Sequence, residues 1–195
     1  MRILISGTSG GIGGAVKSVA LAHGHEILEV NRADYESDGS VLPAESSRGS
    51  LSAVVFCTGM CPVRPVALTA DELLSETVRV NCGFFLRLMR EIVAGRHYAA
   101  GGFRALAVSS VSATEGWAGG AAYCASKGAL SAMCRAMDVE LGPKGISVAA
   151  IEPRYVKTRM FDACAGRMGV PASAARDPSE LAEEIIVDLE RNLAS

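Results

Sequence analysis

Apolar residues along the chain fall into short continuous runs that alternate with stretches of helical spacing. Ile3-Leu4-Ile5, closed by Ser6-Gly7, reads as a strand buried on both faces of a parallel sheet. From Gly11 to about His23 the residues Ile12, Ala15, Val16, Val19 and Ala20 recur with a helical period, and Gly24 can stop that helix. Further strands are predicted at 26–31 (EILEVN), 52–57 (SAVVFC), 104–109 (RALAVS) and 146–151 (ISVAAI). One or two helices are predicted from Asp71 to about Arg96, with Phe85, Leu88, Met89 and Ile92 as their apolar stripe. A long helix follows at 121–141, stopped by Gly142-Pro143, and an amphipathic one from Pro178 to about Asn192. The polar, turn-rich stretch 33–52 is too short for a full strand and helix and reads as an abbreviated connection. Strands alternating with helices imply right-handed βαβ crossovers. The expectation is therefore a single α/β domain over residues 1–195, a doubly wound parallel sheet in three α/β/α layers.

Composition narrows the partners. The 195 residues suffice for one sizeable core, and the formal net charge is -2. No basic tract supplies the field that a nucleic acid or an anionic membrane needs. Six cysteines occur without a CxxC pair or a nearby histidine, which reads as free thiols in a reducing compartment and no metal site. The N-terminal apolar run is too short for a signal peptide, and no 18-residue apolar stretch occurs, so a soluble cytoplasmic protein is expected.

Candidate chemistry begins at Ser6-Gly7-Thr8-Ser9-Gly10-Gly11-Ile12-Gly13, between the first strand and the first helix. Gly7 lets the chain turn off the strand, Gly11 lets backbone N–H groups approach a pyrophosphate, and Gly13 lets helix and sheet pack closely. The helix N-terminus adds free donors and a positive dipole end. The spacing is G-x-x-x-G-x-G rather than G-x-G-x-x-G, and the alternative is a merely tight strand–helix turn. The second strand ends at Asn31-Arg32, where a Rossmann-type fold meets the adenosine ribose. An arginine there favours a 2′-phosphate, hence NADP(H) over NAD(H), with NAD(H) still possible; the alternative is an ordinary solvated surface arginine. Asp34 could reach the adenine amino group or cap a turn.

Tyr123 and Lys127 stand at i and i+4 of the long helix and so share a face. A nearby ammonium stabilises a phenolate and should draw the tyrosine down from its usual pKa of about 10 toward working pH. Such a phenol can give a proton to a carbonyl or take one from an alcohol. Ser110, thirteen residues earlier at the C-terminal end of a predicted strand, can hydrogen-bond the reacting carbonyl.

Taken in order, Ser6-Gly7-x-x-x-Gly11-Ile12-Gly13, Cys57-Thr58-Gly59, Val80-Asn81-Cys82-Gly83, Ser109-Ser110, Tyr123-x-x-x-Lys127, Ile151-Glu152-Pro153 and Val156-Lys157-Thr158 resemble the short-chain dehydrogenase/reductase family over about residues 2–160. The resemblance implies a Rossmann-type oxidoreductase acting on a ketone, an oxoacyl carbonyl or a secondary alcohol. It makes Tyr123 the general acid/base, Lys127 its tuner and ribose ligand, Ser110 the substrate-positioning hydroxyl, and Asn81 the organiser of a relay water. It assigns the dinucleotide to Gly7, Ser9, Gly11, Ile12, Gly13, Asn31, Arg32, Thr58, Gly59, Asn81, Tyr123, Lys127, Pro153, Val156 and Thr158. A substrate pocket is expected between Trp117, the loop after Val156 and the segment 161–170. Departures from the family pattern are Cys57-Thr58 before Gly59, where Asn-Ala is usual, Arg154 in place of glycine, the shortened stretch after Arg32, and the missing last strand. The last of these favours a homodimer, through helices 76–96 and 121–141, over a tetramer. A non-catalytic dinucleotide-binding regulator or scaffold is the competing reading, because fold alone does not decide function; a lyase or dehalogenase on the same scaffold is the third.

Overall fold

The computed structural model describes residues 1–193; the last two residues of the expected domain lie outside them. The continuous apolar runs become strands β1 (Arg2–Ser6), β2 (Glu26–Val30), β3 (Ala53–Phe56), β4 (Phe103–Val108) and β5 (Ile146–Ile151). They form one sheet in the order β2-β1-β3-β4-β5, with every neighbouring pair parallel. The chain leaves β1 outward to β2, then crosses back to β3 on the other side of β1. The order thus reverses between β1 and β3, and in open sheets of this kind ligands bind outside the carboxyl ends of the strands at that point.

Both faces of the sheet are covered, which is why its central strands read as unbroken apolar runs. On one face α1 (Gly11–Ala22) and α7 (Pro178–Leu193) bury Val16, Ala20, Leu181, Ile185, Ile186 and Leu189 against Ile3, Ile5, Ala53 and Val55. On the other, α3 (Asp71–Val78), α4 (Phe84–Gly95) and α5 (Ala121–Leu141) enclose Phe85, Leu88, Met89, Ile92, Leu130 and Cys134 with Leu4, Val54 and Phe56. Each such side chain removed from water contributes about 1.5–3 kcal/mol before entropy is counted.

Three local features add to the sequence-based expectation. The helical stretch from Asp71 is two helices joined by a π-helical turn, Arg79–Gly83, whose extra residue rotates Asn81 inward. The abbreviated connection holds a five-residue helix, α2 (Arg32–Glu36), too short to show a period. Its Tyr35 is buried, stacks on Phe84 with ring centroids 4.3 Å apart, and donates to Ser6 Oγ at 3.2 Å. Finally, most of the segment 161–170 expected beside the pocket belongs to a helix, α6 (Arg159–Met168), with Phe161, Cys164 and Met168 on one side. Thr158 caps it, its Oγ1 accepting from the Phe161 N–H at 3.2 Å. No helix among the described residues is long and apolar enough to cross a membrane.

Candidate active site

Glycine at three loop positions is dictated by contact. A Cβ on Gly7, whose φ is 80°, would stand 2.9 Å from the Thr58 nitrogen, and one on Gly13 only 2.3 Å from the Gly7 carbonyl oxygen. A Cβ on Gly11 would meet Thr158 Cγ2 at 2.5 Å. The β1–α1 turn is therefore a bare backbone cradle, roofed by Thr158 from the far side of the sheet's crevice. No side chain caps the N-terminus of α1, and its first turn carries no acidic residue, so its amide donors and positive dipole end face the crevice free of competition. The Thr8 hydroxyl anchors the loop to Glu29 on β2, and Lys17 pairs with the same carboxylate. Lys17 first, then Thr8, hold the Glu29 carboxyl below the usual range.

Above this cradle lies a cleft of about 480 Å³. Gly7, Ser9, Gly11, Ile12 and Gly13 form its floor. Arg32, Thr58 and Gly59 line it from the ends of β2 and β3, and Tyr123, Lys127 and Thr158 close the other end. A cavity of this size, walled by bare backbone amides and an open helix N-terminus, fits a dinucleotide with its pyrophosphate on the glycine turn. Asn31 does not line the cleft; it N-caps α2 in a capping box with Asp34, whose Oδ2 accepts from the Asn31 N–H at 2.6 Å. Asp34 is therefore a cap. Arg32 reaches the cleft edge about half exposed, but it is paired with Glu36 Oε1 at 2.7 Å and Glu76 Oε1 at 2.9 Å. A 2′-phosphate would have to compete with those two carboxylates.

At the other end of the cleft, Asn81 is fully buried and fully bonded. Its Oδ1 accepts from the Met60 N–H at 2.7 Å; its Nδ2 donates to the Met60 carbonyl and to Ser126 Oγ, each at 2.9 Å. Asn81 thus ties the loop after β3 to α5. Ser126 Oγ in turn donates to the Tyr123 carbonyl at 2.7 Å. Lys127 Nζ donates to the Val108 carbonyl at 2.7 Å, and Ser109 Oγ donates to the Lys127 carbonyl at 3.1 Å. Ser110 stands two residues past the end of β4, accepts from the Ser112 N–H at 3.1 Å, and lines the same cavity as Tyr123.

The electrostatics differ from the expectation for this pair. Burial is the first cause of a Tyr123 pKa raised well above 10, and the nearby thiol of Cys61 adds to it; the Ser110 hydrogen bond opposes them. Burial pulls Lys127 down to about 8. Lys127 Nζ faces the Val108 carbonyl and stands 5.8 Å from the centre of the Tyr123 ring. The phenol is held protonated at neutral pH, the form that can give a proton to a carbonyl, while burial makes it a weaker acid than a free tyrosine.

Beyond Tyr123 the cleft continues into a smaller cavity of about 100 Å³. Trp117, Tyr155, Phe161 and Met168 make its apolar wall, and Pro153, Val156 and Ser110 border it. Trp117 is fixed by donating Nε1–H to Ser112 Oγ at 3.2 Å. Arg154 pairs with Glu115 at 2.8 Å across the rim. Sequence reasoning did not find the Arg154–Glu115 pair, Tyr155, or the approach of Cys61 to Cys164 in the same wall. Those partners lie far apart in the chain or in irregular loops, where no periodicity marks them.

A parallel sheet with a bare glycine turn at its switch point, beside a buried tyrosine–lysine face, defines an α/β dinucleotide-dependent enzyme. Residues 3–180 match the family described as enoyl-(acyl carrier protein) reductase. The chain belongs to the short-chain dehydrogenase/reductase family, a class of NAD(P)-dependent oxidoreductases. It is 26% identical over 193 residues to the short-chain reductase protein NovJ of Streptomyces niveus, covering 85% of this chain and 73% of that protein. Its fold superposes on a variant of the actinorhodin polyketide ketoreductase solved with NADPH, with a TM-score of 0.82 at 20% identity, over 100% of this chain and 92% of that one. It also superposes on the 3-ketoacyl-(acyl-carrier-protein) reductase of Brucella melitensis solved with NADH, with a TM-score of 0.76 at 20% identity, over 95% and 88%.

Proposed function

We propose that this chain reduces a ketone or oxoacyl carbonyl with an NADP(H) preference, or runs the reverse alcohol oxidation, with Tyr123 as general acid/base. The observation that carries the reading is the position of the Tyr123 side chain, which borders both the dinucleotide-sized cleft and the apolar cavity. When bound, the nicotinamide supplies or accepts the hydride. Gly7, Ser9, Gly11, Ile12 and Gly13 would hold the pyrophosphate, Arg32, Thr58 and Gly59 the adenosine side, and Pro153, Val156 and Thr158 the carboxamide side. Ser110 orients the substrate oxygen toward the phenol, and Tyr123 moves the proton at that oxygen. Lys127 fixes the face on which Tyr123 lies. Asn81 keeps α5 in register with the loop after β3. The reductase names of the relatives support an oxoacyl or polyketide-like substrate, and the apolar wall of the cavity fits one. Leu86 on α4 and Val139 on α5 are exposed, which supports a homodimer through these helices.

NADPH and NADH titrations, followed by nicotinamide fluorescence, test the cofactor half, with Arg32→Asp as the paired control. Tighter NADPH binding is expected, and the substitution should abolish that preference. NADPH oxidation at 340 nm with ketones and 3-oxoacyl thioesters tests the reaction. Stoichiometric binding with no turnover of any carbonyl would replace this reading with the non-catalytic one.

A further inference from the structure

All six cysteines are free thiols, and two of them meet at the roof of the apolar cavity. Cys61 lies in the irregular loop after β3, and Cys164 lies in the middle of α6, 103 residues later. Their sulfurs are 3.4 Å apart, and Cys164 Sγ is 3.9 Å from the Cys61 carbonyl oxygen. Cys164 is buried and Cys61 half-buried, so each sulfur has the other as its close polar neighbour. Both border the cavity that also holds Tyr123. The two elements they join differ in anchoring. The Cys61 loop is tied to α5 through Asn81 and Met60. The apolar side of α6 roofs the cavity with Phe161 and Met168, and its other side is exposed at Arg159, Asp162 and Arg167.

We infer that Cys61 and Cys164 form a modification site, a dithiol that closes to a disulfide under a peroxide or a low-molecular-weight disulfide and pins α6 over the cavity. The balance with peroxide is simple. One thiol gives up its proton and attacks the peroxide as thiolate, forming a sulfenic acid and hydroxide, which takes up that proton as water; the second thiol displaces the hydroxyl as water, and the S–S bond forms. Two thiols lose two electrons and two protons, and hydrogen peroxide is reduced to two waters. With a small disulfide, exchange through a mixed disulfide releases two small thiols instead. Sulfurs already in contact need a shift of only about 1.4 Å to bond, given an S–S length of about 2.0 Å. The second step is therefore intramolecular and strongly favoured over reaction with bulk thiols. Burial and the neighbouring Cys164 both raise the Cys61 thiol, so thiolate is scarce at neutral pH and the first step is slow. Closure then marks sustained oxidant exposure rather than a brief pulse. Once made, the bond joins the fixed loop to the lid helix and removes the freedom α6 needs to admit a substrate larger than the present cavity of about 100 Å³.

The cross-link itself is independent of the function proposed above; its effect on turnover rests on that reading. Wild-type protein and Cys164→Ser are incubated with hydrogen peroxide at pH 8, alkylated, and mapped by mass spectrometry without reduction. The expected result is a peptide pair joining Cys61 to Cys164, lighter than the two thiols by two hydrogens, present in wild type only and reversed by dithiothreitol. Limited trypsinolysis at Arg159 and Arg167 should slow at least fivefold on oxidation. Where a substrate has been identified, oxidised wild type should lose at least tenfold in turnover, and the reductant should restore it. Recovery of Cys61 and Cys164 as alkylated thiols, while the more exposed cysteines oxidise, would overturn the proposal. So would a cross-link that leaves trypsin sensitivity unchanged. Protein that cross-links and gains trypsin resistance but turns over no carbonyl would count against the proposed function alone.

Discussion

Lys127→Met should raise the stability of the ligand-free fold at pH 7 while impairing the site. Lys127 is buried in the closed end of the cleft, and burial holds it down from 10.5 to about 8. That difference corresponds to about 3 kcal/mol against the charged form in the folded state. Methionine keeps the apolar stem and deletes the charge. It also deletes the bond from Nζ to the Val108 carbonyl at 2.7 Å, which at a charged donor is worth roughly 1.5–3 kcal/mol. The net gain is about 1 kcal/mol, or a Tm rise of about 2–4 °C for a chain of this size. The pH dependence carries the sharper signature. Because the folded pKa lies below the unfolded one, the unfolded chain binds more protons between pH 8 and 10.5, and stability rises with pH through that window. Wild type should therefore gain about 2 kcal/mol relative to the variant between pH 7 and pH 9.5, and the variant's advantage should reverse. Urea unfolding of both proteins at the two pH values, at fixed ionic strength, reads this directly. A variant several kcal/mol less stable than wild type at pH 7, with a parallel pH profile, would refute the burial argument.

Other substitutions test separate parts of the molecule. Gly13→Ala forces a Cβ to within 2.3 Å of the Gly7 carbonyl oxygen; it should weaken dinucleotide binding at least 100-fold in a fluorescence titration. Gly116→Ala, where nothing lies within 4 Å, should leave that binding unchanged. Asn81→Ala strands the Met60 N–H and carbonyl and removes the donor to Ser126 Oγ, and should cost about 2–4 kcal/mol in urea unfolding. Phe85 is fully buried with its ring centroid 5.3 Å from that of Phe56; Phe85→Ala should cost about 3–5 kcal/mol by the same measurement.

The strands were legible because burial on both faces leaves an apolar run, unbroken in Ile3-Leu4-Ile5 of β1 and in β3 and interrupted only by Arg104 in β4 and Ser147 in β5. The helix at 121–141 was legible to its ends because Gly142-Pro143 stops it. Three things were not legible, each for a physical reason. The π turn at Arg79–Gly83 depends on tertiary packing around Asn81, which shows in no local pattern. The helix α6 has an apolar side of only three residues, whose partners include Tyr155 in the loop after β5 and Cys61 in the loop after β3. The ionic surroundings of Arg32 depend on Glu76, 44 residues away, so its reading as a phosphate ligand could not include the carboxylates that already hold it. The glycine turn, Ser110 and the Tyr123–Lys127 face were readable because each sits at a strand end or on one helix face, where spacing alone fixes neighbourhood. The direction of the Tyr123 shift was not, since burial and not the lysine dominates it.

The most direct measurement is single-turnover oxidation of bound NADPH by a carbonyl substrate, in wild type and in Tyr123→Phe, with the NADPH Kd of each determined alongside. The phenylalanine keeps the ring beside Trp117, 6.4 Å away between centroids, and removes only the hydroxyl. The expected result is an unchanged Kd within about threefold and a rate lower by about 10²–10⁴. Equal rates in the two proteins would contradict Tyr123 as the proton donor, whatever the cofactor.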